Sequence, residues 1–286
     1  MVEVTHNMTS LETWKTFEPE SYYKSFLEKN KRPDGRGLMK VRPITIKIGT
    51  VTTAEGSSTV RVGHTTIMCG IKAEIATPAL RNPDEGFIVP NVELYPCSSP
   101  KIKMGPPGEK AMGTSQFLKN VLHSSGVLDL KDLCIVPNKL AWCLYCDVAC
   151  INYDGNLYDA ALTAIMAALQ NVRLPVVSYD AENDKTSVAS ERTLPLMIKA
   201  KPVSSTFTIY SDSIQLMDPT AEDESQGSGE VVVVLLENGS LCTTHKPGGQ
   251  LILPNILDDF VKLAKKRVKV VNNLIDRVLT ERMDTS

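Results

Sequence analysis

The sequence lacks any apolar stretch long enough to cross a bilayer: residues 231–236 give a run of six apolar side chains, where a membrane helix needs about twenty. Its first residues, Met1-Val-Glu-Val-Thr-His-Asn7, hold neither a basic cluster nor an apolar segment, so no secretory leader is expected and the chain reads as intracellular and soluble. An excess of one charge is lacking too. Lysine and arginine total 31 against 33 aspartates and glutamates, a net charge of -2, which excludes a global basic field and leaves only local contacts to nucleic acid. Cysteines are few and odd in number, seven in 286 residues, which fits reduced thiols and not a disulfide framework. The four histidines, His6, His64, His123 and His245, form no His-x-x-x-His pair and read as surface or satisfied core positions. No P-loop, Gly-x-Gly-x-x-Gly or Gly-x-Ser-x-Gly occurs, so kinase, dinucleotide and hydrolase readings have no motif behind them.

What is present is a strand and a helix around which the rest can pack. Residues 140–153 are apolar on both alternating faces, the pattern of a central strand buried on both sides. Asp154-Gly-Asn156 supplies turn and helix-start chemistry, and residues 159–170 follow, rich in strong helix formers with five alanines that let neighbours approach closely. Upstream, Trp14, Phe17, Tyr22, Tyr23, Phe26 and Leu27 have the spacing of a docked leading helix, and Arg32-Pro-Asp-Gly-Arg36 reads as a turn. Residues 44–48, 59–62 and 66–71 predict three strands of an antiparallel meander, and residues 87–94 an edge strand that tolerates Pro90. Residues 97–108 predict an exposed loop with Lys101 and Lys103 at its tip, and residues 109–124 a helix. Beyond a polar loop at 179–193, strands are expected at 196–199, 205–210, 213–217, 230–236 and 240–244, with a turn at Ser211-Asp212 and an Asn-Gly hairpin at 237–239. Residues 253–283 predict a long amphipathic helix with Leu257, Phe260, Ala264, Val268, Val271 and Ile275 on one stripe. Its solvated face is expected to carry Lys262, Lys265, Lys266, Arg267 and Lys269.

Few groups suggest chemistry. Cys143-Leu-Tyr-Cys146 has the letters of a metal or redox pair but no second pair at ligand spacing, and in a strand the two thiols point to opposite faces, so a structural reading is expected. The acidic stretch from Asp218 through Glu222, Asp223 and Glu224 has the composition to bind a divalent ion or act as acid and base; a solvated turn is the plainer expectation.

Five motifs in order, Arg32-Pro-Asp-Gly-Arg36, Gly105-Pro-Pro-Gly-Glu109, Asp154-Gly-Asn156 with Asp159-Ala160, Asp218-Pro-Thr220 and His245-Lys-Pro-Gly-Gly249, cover nearly the whole chain. Together they resemble the RNase PH-like subunits of the RNA exosome ring. Ser115-Gln-Phe117 and Leu140-Ala-Trp142 are similar to the pattern of one eukaryotic type of such subunit. The resemblance implies an α+β class and the RNase PH-like fold (ribosomal protein S5 domain 2-like), with mixed sheets and buried helices in two sub-lobes. It divides the chain into an N-terminal helical extension at 1–31, a first sub-lobe at 32–178, a connecting loop at 179–193 and a second sub-lobe at 194–286.

Active members of that family are phosphate-dependent 3′ to 5′ exoribonucleases that hold phosphate at a Gly-Thr/Ser-Arg turn. Here Asp154-Gly155 is followed by Asn156-Leu-Tyr158, so the resemblance puts Tyr158 at the arginine position, and a phenol offers no positive fork. The two aspartates that active members space six apart correspond to Glu224 and Glu230. The family grips RNA with arginines near Gly105-Pro-Pro-Gly-Glu109. Lys101, Lys103 and Lys110 are the RNA-binding residues that the resemblance implies in that region here, while Gln116 and Asn120 stand at frequent arginine positions. The resemblance thus implies a non-catalytic subunit that completes a hetero-hexameric ring, with no catalytic residue, metal or cofactor of its own. Its implied partners are RNase PH-like neighbours, S1/KH-domain cap proteins, catalytic exosome ribonucleases and single-stranded RNA in the channel, in nucleus, nucleolus and cytoplasm. Two alternatives stay open: an active nuclease using Asp218, Glu222, Asp223, Glu224 and Glu230, or a free-standing interaction protein.

Overall fold

The structure, a computed structural model, describes residues 13–180, 185–211 and 214–283. His6, Asp212 and Ser213 lie outside the described residues. One sheet runs in the order β1 (Ile44–Ile48), β2 (Gly56–Val62), β3 (Thr65–Ala76), β6 (Leu140–Asn152), β4 (Phe87–Leu94). The first four are antiparallel, β4 pairs in parallel with β6, and β5 (Cys134–Val136) pairs with the start of β6. β4 is the edge strand that Pro90 predicts; its Val92 N–H, which β6 does not take, donates to Ser115 Oγ at 2.9 Å. Ser115 belongs to α2 (Glu109–Ser125), which buries Phe117, Leu118, Val121 and Leu122 and ends at Gly126 in the left-handed conformation (φ 63°).

The alanine-rich helix α3 (Leu157–Gln170) packs between this sheet and the second one, and only Gln170 of its fourteen residues escapes full burial. Small side chains make this possible. A Cβ on Gly56 of β2 would lie 2.5 Å from Val172 Cγ2 and 2.7 Å from the Ala168 carbonyl oxygen, and Ser58 donates to the Ala164 carbonyl at 2.7 Å. The second sheet has the order β10 (Ile214–Met217), β9 (Val203–Ser211), β11 (Gly229–Leu235), β12 (Leu241–His245), all antiparallel. Residues 203–209 of β9 are buried on both faces. The long helix α5 (Pro254–Met283) lies along β9 and β11, with Phe260 stacked on Phe207 at 4.1 Å between centroids and 7° between planes. One apolar core runs continuously through both sheets. At the N-terminal side, α1 (Pro19–Leu27) docks Tyr23 and Leu27 on Leu216 of β10.

Four expectations are corrected. The described residues of 179–193 belong to strands and not to a loop: β7 (Arg173–Asp180) and β8 (Lys185–Pro195) pair antiparallel, and β8 is polar because its described side chains are exposed and need no apolar face. Residues 196–199 form no strand. β6 is buried on both faces only at its start, for Tyr145, Asp147 and Ile151 are exposed where no layer covers that side. Arg267 is not on the solvated face of α5 but 5% exposed, beside Asp159. The cysteine pair is structural: Cys143 and Cys146 are free and buried, and burial pushes the Cys146 thiol up, the opposite of what a redox or metal thiolate requires.

The Phe207–Phe260 stack ties α5 to the second sheet, so Phe260→Ala is expected to cost about 3–5 kcal/mol of stability. Denaturant titration of the full chain checks this; a loss below about 1 kcal/mol would mean that α5 is held mainly elsewhere.

Candidate functional site

The turn from β6 into α3 and the turn from β10 into α4 (Ala221–Gln226) lie back to back. Gly155 (φ 75°) is required at the contact, since a Cβ there would fall 2.4 Å from the Thr220 carbonyl carbon and 2.5 Å from Ala221 N. α4 starts with a capping box in which Thr220 and Asp223 exchange side-chain bonds with each other's backbone N–H. The acidic stretch is therefore neither a solvated turn nor a converging metal site, because its carboxylates point in four directions.

Asp218, in the left-handed region (φ 56°) and fully buried, points inward. Its Oδ2 accepts from Arg42 N at 2.7 Å, Arg42 Nε at 3.0 Å and Arg36 Nη1 at 3.2 Å; Oδ1 accepts from Arg42 Nη2 at 2.9 Å and Asn156 Nδ2 at 2.6 Å. Burial alone would raise its pKa, but Arg42, Arg267 and Asn156 hold it far below the usual carboxylate range. Asp223 pairs with the buried Arg32 at 3.1 Å. Glu222 points outward to Lys15 and to Tyr23 Oη at 3.2 Å. Asn156 does not cap α3; its amide bridges Asp218 and Asp159, and Asp159 also receives Thr206 N and Oγ1 at 3.1 and 2.8 Å and lies 3.1 Å from Arg267.

Glu224 points toward α3. Its Oε1 accepts the backbone N–H of Asn156 at 2.6 Å, while Oε2 receives Lys110 Nζ and, at 2.5 Å, Tyr153 Oη. The amide at the entry to α3 is thus occupied by a carboxylate of the chain itself. Beside it Glu230, on β11, helps line a cavity of about 260 Å³ walled by Gly227, Gly229, Gly248 and Gly249, and its Oε1 has no hydrogen-bond partner. Burial, reinforced by the Glu224 charge, pushes Glu230 up to about 7. Tyr158 is 5% exposed and packs edge-on against Phe117 at 5.0 Å and His245 at 5.7 Å. Burial, then the charges of Glu230 and Glu224, raises its phenol to about 12, so it stays neutral, and burial also lowers the pKa of His245.

Of the three lysines, Lys101 and Lys103 sit on the exposed loop between β4 and α2, as expected, whereas Lys110 is committed to Glu224 and Tyr153. Gln116 and Asn120 bond to each other at 3.0 Å on an exposed face. Sequence reasoning missed Arg42 altogether and read Arg32 and Arg36 only as turn residues. The signal available was the run of arginines flanking Pro33 and Pro43, with Asp218 as partner 176 to 186 positions away.

Because the folded protein holds Glu230 protonated while the unfolded chain ionises it from about pH 4.5, stability is expected to fall as pH rises from that value through about 7. Glu230→Gln should remove this slope and raise stability at about pH 8 by about 3 kcal/mol. Denaturation curves of both proteins at about pH 5 and about pH 8 test it; identical slopes would mean that Glu230 titrates normally.

Comparison with known proteins agrees with this geometry. The pattern of the 3′ exoribonuclease family, domain 1, matches residues 40–175, and that of domain 2 matches residues 201–267. The chain is 37% identical over 254 residues to exosome complex component rrp43 of Schizosaccharomyces pombe, covering 89% of this chain and 94% of that one. It is 34% identical over 250 residues to exosome complex component Rrp42 of Methanothermobacter thermautotrophicus, covering 87% and 90%. Among solved structures it superposes on a chain of the Archaeoglobus fulgidus exosome with RNA bound to the active site, with a TM-score of 0.79, 28% identity, and 89% and 96% of the two chains covered. With both domain patterns matched in order over the two sheets that meet at the Asp218 and Glu224 turns, the chain belongs to the 3′ exoribonuclease family and has the RNase PH-like fold.

Proposed function

We propose that this chain is a non-catalytic subunit of the exosome core, of the eukaryotic type that fission yeast rrp43 represents. In this reading it completes a hexameric ring of RNase PH-like chains and presents its exposed loop at Lys101 and Lys103 to single-stranded RNA. Ring neighbours, S1/KH-domain cap proteins and the catalytic exosome ribonucleases are its partners, in nucleus, nucleolus and cytoplasm. One observation carries the non-catalytic part: the Asn156 N–H at the start of α3, where phosphorolysis needs an anion, is bonded at 2.6 Å to Glu224, with the carboxyl of Glu230 close by. Phosphoryl transfer rests on positioning and charge stabilisation, and an internal carboxylate at that point repels the phosphate that would attack. Tyr158, neutral and buried against Phe117 and His245, supplies no compensating cation. Lys110 is the nearby cation among the described residues, and its charge is neutralised by Glu224.

Two experiments bear on this. RNA shortening by the purified chain is expected to be undetectable with and without inorganic phosphate and Mg²⁺, and Tyr158→Arg alone is expected to leave it so, because Glu224 still holds the amide. Phosphate-dependent release of nucleoside diphosphates by the chain alone would establish the active-nuclease reading instead. In the assembled particle, crosslinking to single-stranded RNA is expected at Lys101 or Lys103 and not at Lys110. A map with no crosslink at residues 101–103 removes the RNA contact, and a chain that copurifies with no partner of similar size removes the ring.

A further inference from the structure

Residues 94–108, which join β4 to α2, hold Lys101 and Lys103 and no acidic side chain. Among the described residues neither ammonium has an ion-pair partner. Glu93, the acid that precedes the segment, is bonded to Tyr95 Oη at 2.6 Å. Just before Lys101 stand Ser99 and Pro100. The sequence has two pairs of a hydroxyl residue followed by proline, Ser99-Pro100 and Thr77-Pro78, and the structure separates them. Pro78 is buried, whereas Pro100 is exposed, and Ser99 before it is half-buried with an extended backbone (φ -160°, ψ 143°). The neighbouring hydroxyl is engaged: Ser98 is 4% exposed, and its Oγ donates to the Tyr95 carbonyl at 2.6 Å. Ser99 Oγ lies at the surface, with the Lys101 N–H at 3.4 Å, a contact too long to hold it firmly.

An enzyme that binds an extended chain and offers no partner to the N–H after the reacting serine selects proline at that place, because proline has no N–H to leave unpaired. Such an enzyme must reach both side chains, and Ser99-Pro100 is the pair that presents them. The Ile102 N–H donates to the Ser99 carbonyl at 3.0 Å, closing a turn with Pro100 and Lys101 at its corner and Lys103 just beyond. A phosphate on Ser99 carries about -1.5 to -2 charges at pH 7, enough to cancel the two unopposed lysines of the segment. It presents to them the same anion that an RNA backbone would.

We propose that Ser99 is a phosphorylation site for a proline-directed serine/threonine kinase, and that its phosphate releases this loop from RNA by pairing with Lys101 and Lys103. The release rests on the RNA contact proposed above; the acceptor assignment does not. In the transfer the Ser99 oxygen attacks the γ-phosphorus of ATP, the bond from that phosphorus to the bridging oxygen of ADP breaks, and the hydroxyl proton passes to the catalytic carboxylate of the kinase. The test starts with the full chain, ATP and a purified mitogen-activated protein kinase, with sites mapped by mass spectrometry. Phosphate is expected at Ser99 at least about tenfold faster than at Thr77, the preference lost on burial of one proline. Ser99→Ala and Pro100→Ala should abolish it, Thr77→Ala should leave it unchanged, and Ser99→Thr should restore it, which guards against a misfolded loop. The phosphorylated chain, assembled with the subunits that copurify, should then crosslink to single-stranded RNA at residues 101–103 about fivefold less than the unmodified one. Its RNA affinity should also fall less steeply with salt, the logarithmic slope decreasing by about 1.4 for two lost lysine contacts. No phosphate at Ser99, or equal rates at Ser99 and Thr77, overturns the acceptor. Equal crosslinking before and after phosphorylation overturns the release alone, whereas no crosslink in the unmodified particle overturns the RNA contact itself and the release with it.

Discussion

Asp218 is the carboxylate on which the rest of the structure depends. It is fully buried, takes five hydrogen bonds, and joins segments that are far apart in sequence: the arginines before β1, the Asn156 turn before α3, and its own turn between β10 and α4. An isolated charge in that place would be costly by several kcal/mol, and the arrangement is stable because all partners are present together. Removing one member of such a buried group typically costs about 3–5 kcal/mol, which is why the polar centre is maintained whether or not chemistry happens beside it. Its pKa lies far below the ordinary value, so its contribution is present above the unfolded carboxylate range and is lost as pH falls through the folded value.

That network fixes the entry to α3, and the entry to α3 decides what the cavity can do. With Asn156 held by its side chain to Asp159 and Asp218, its backbone N–H points at α4, and the side chain presented there is Glu224. A helix N-terminus attracts an anion, and here the attraction is satisfied within the molecule. Lys110 and Tyr153 then converge on the same carboxylate. Glu230, left without a hydrogen-bond partner for one oxygen, is pushed up to about 7, because burial and then the adjacent Glu224 charge both oppose its ionisation.

Much of this was legible in the sequence where the governing forces are local. The strand at 44–48 and the helix at 157–170 follow from β-branched alternation and from alanine-rich helix propensity. Five motifs in order gave the family, since each marks a turn whose backbone needs Gly, Pro or Asn. The β7–β8 pairing was hidden, because the exposed strand β8 carries no hydrophobic period and, with the polar end of β7, looks like a loop. Arg267 was misplaced for a different reason: at helical spacing it lies beside lysines that are solvated, and only Asp159 on another element draws it inward. Likewise the acidic composition at 218–224 was plain, but the direction of each carboxylate depends on partners far upstream: arginines before β1 for Asp218 and Asp223, Lys15 and Tyr23 for Glu222, and Lys110, Tyr153 and the Asn156 amide for Glu224.

A helix buried along its whole length can meet ligands only at its ends, so α3 concentrates the charged chemistry of this chain at two places. The macrodipole sets opposite preferences there, an anion at the start and cations at the finish. Both are met from within, by Glu224 at one end and by Arg173 and Arg282 near the other. At the start the carboxylate, the amide and Lys110 close on one another, so the preference of the helix end for an anion is satisfied by the chain's own Glu224. At the finish Arg282 donates to Asn171 just beyond the helix and Arg173 to the Val172 carbonyl, so cations stand where the dipole favours them.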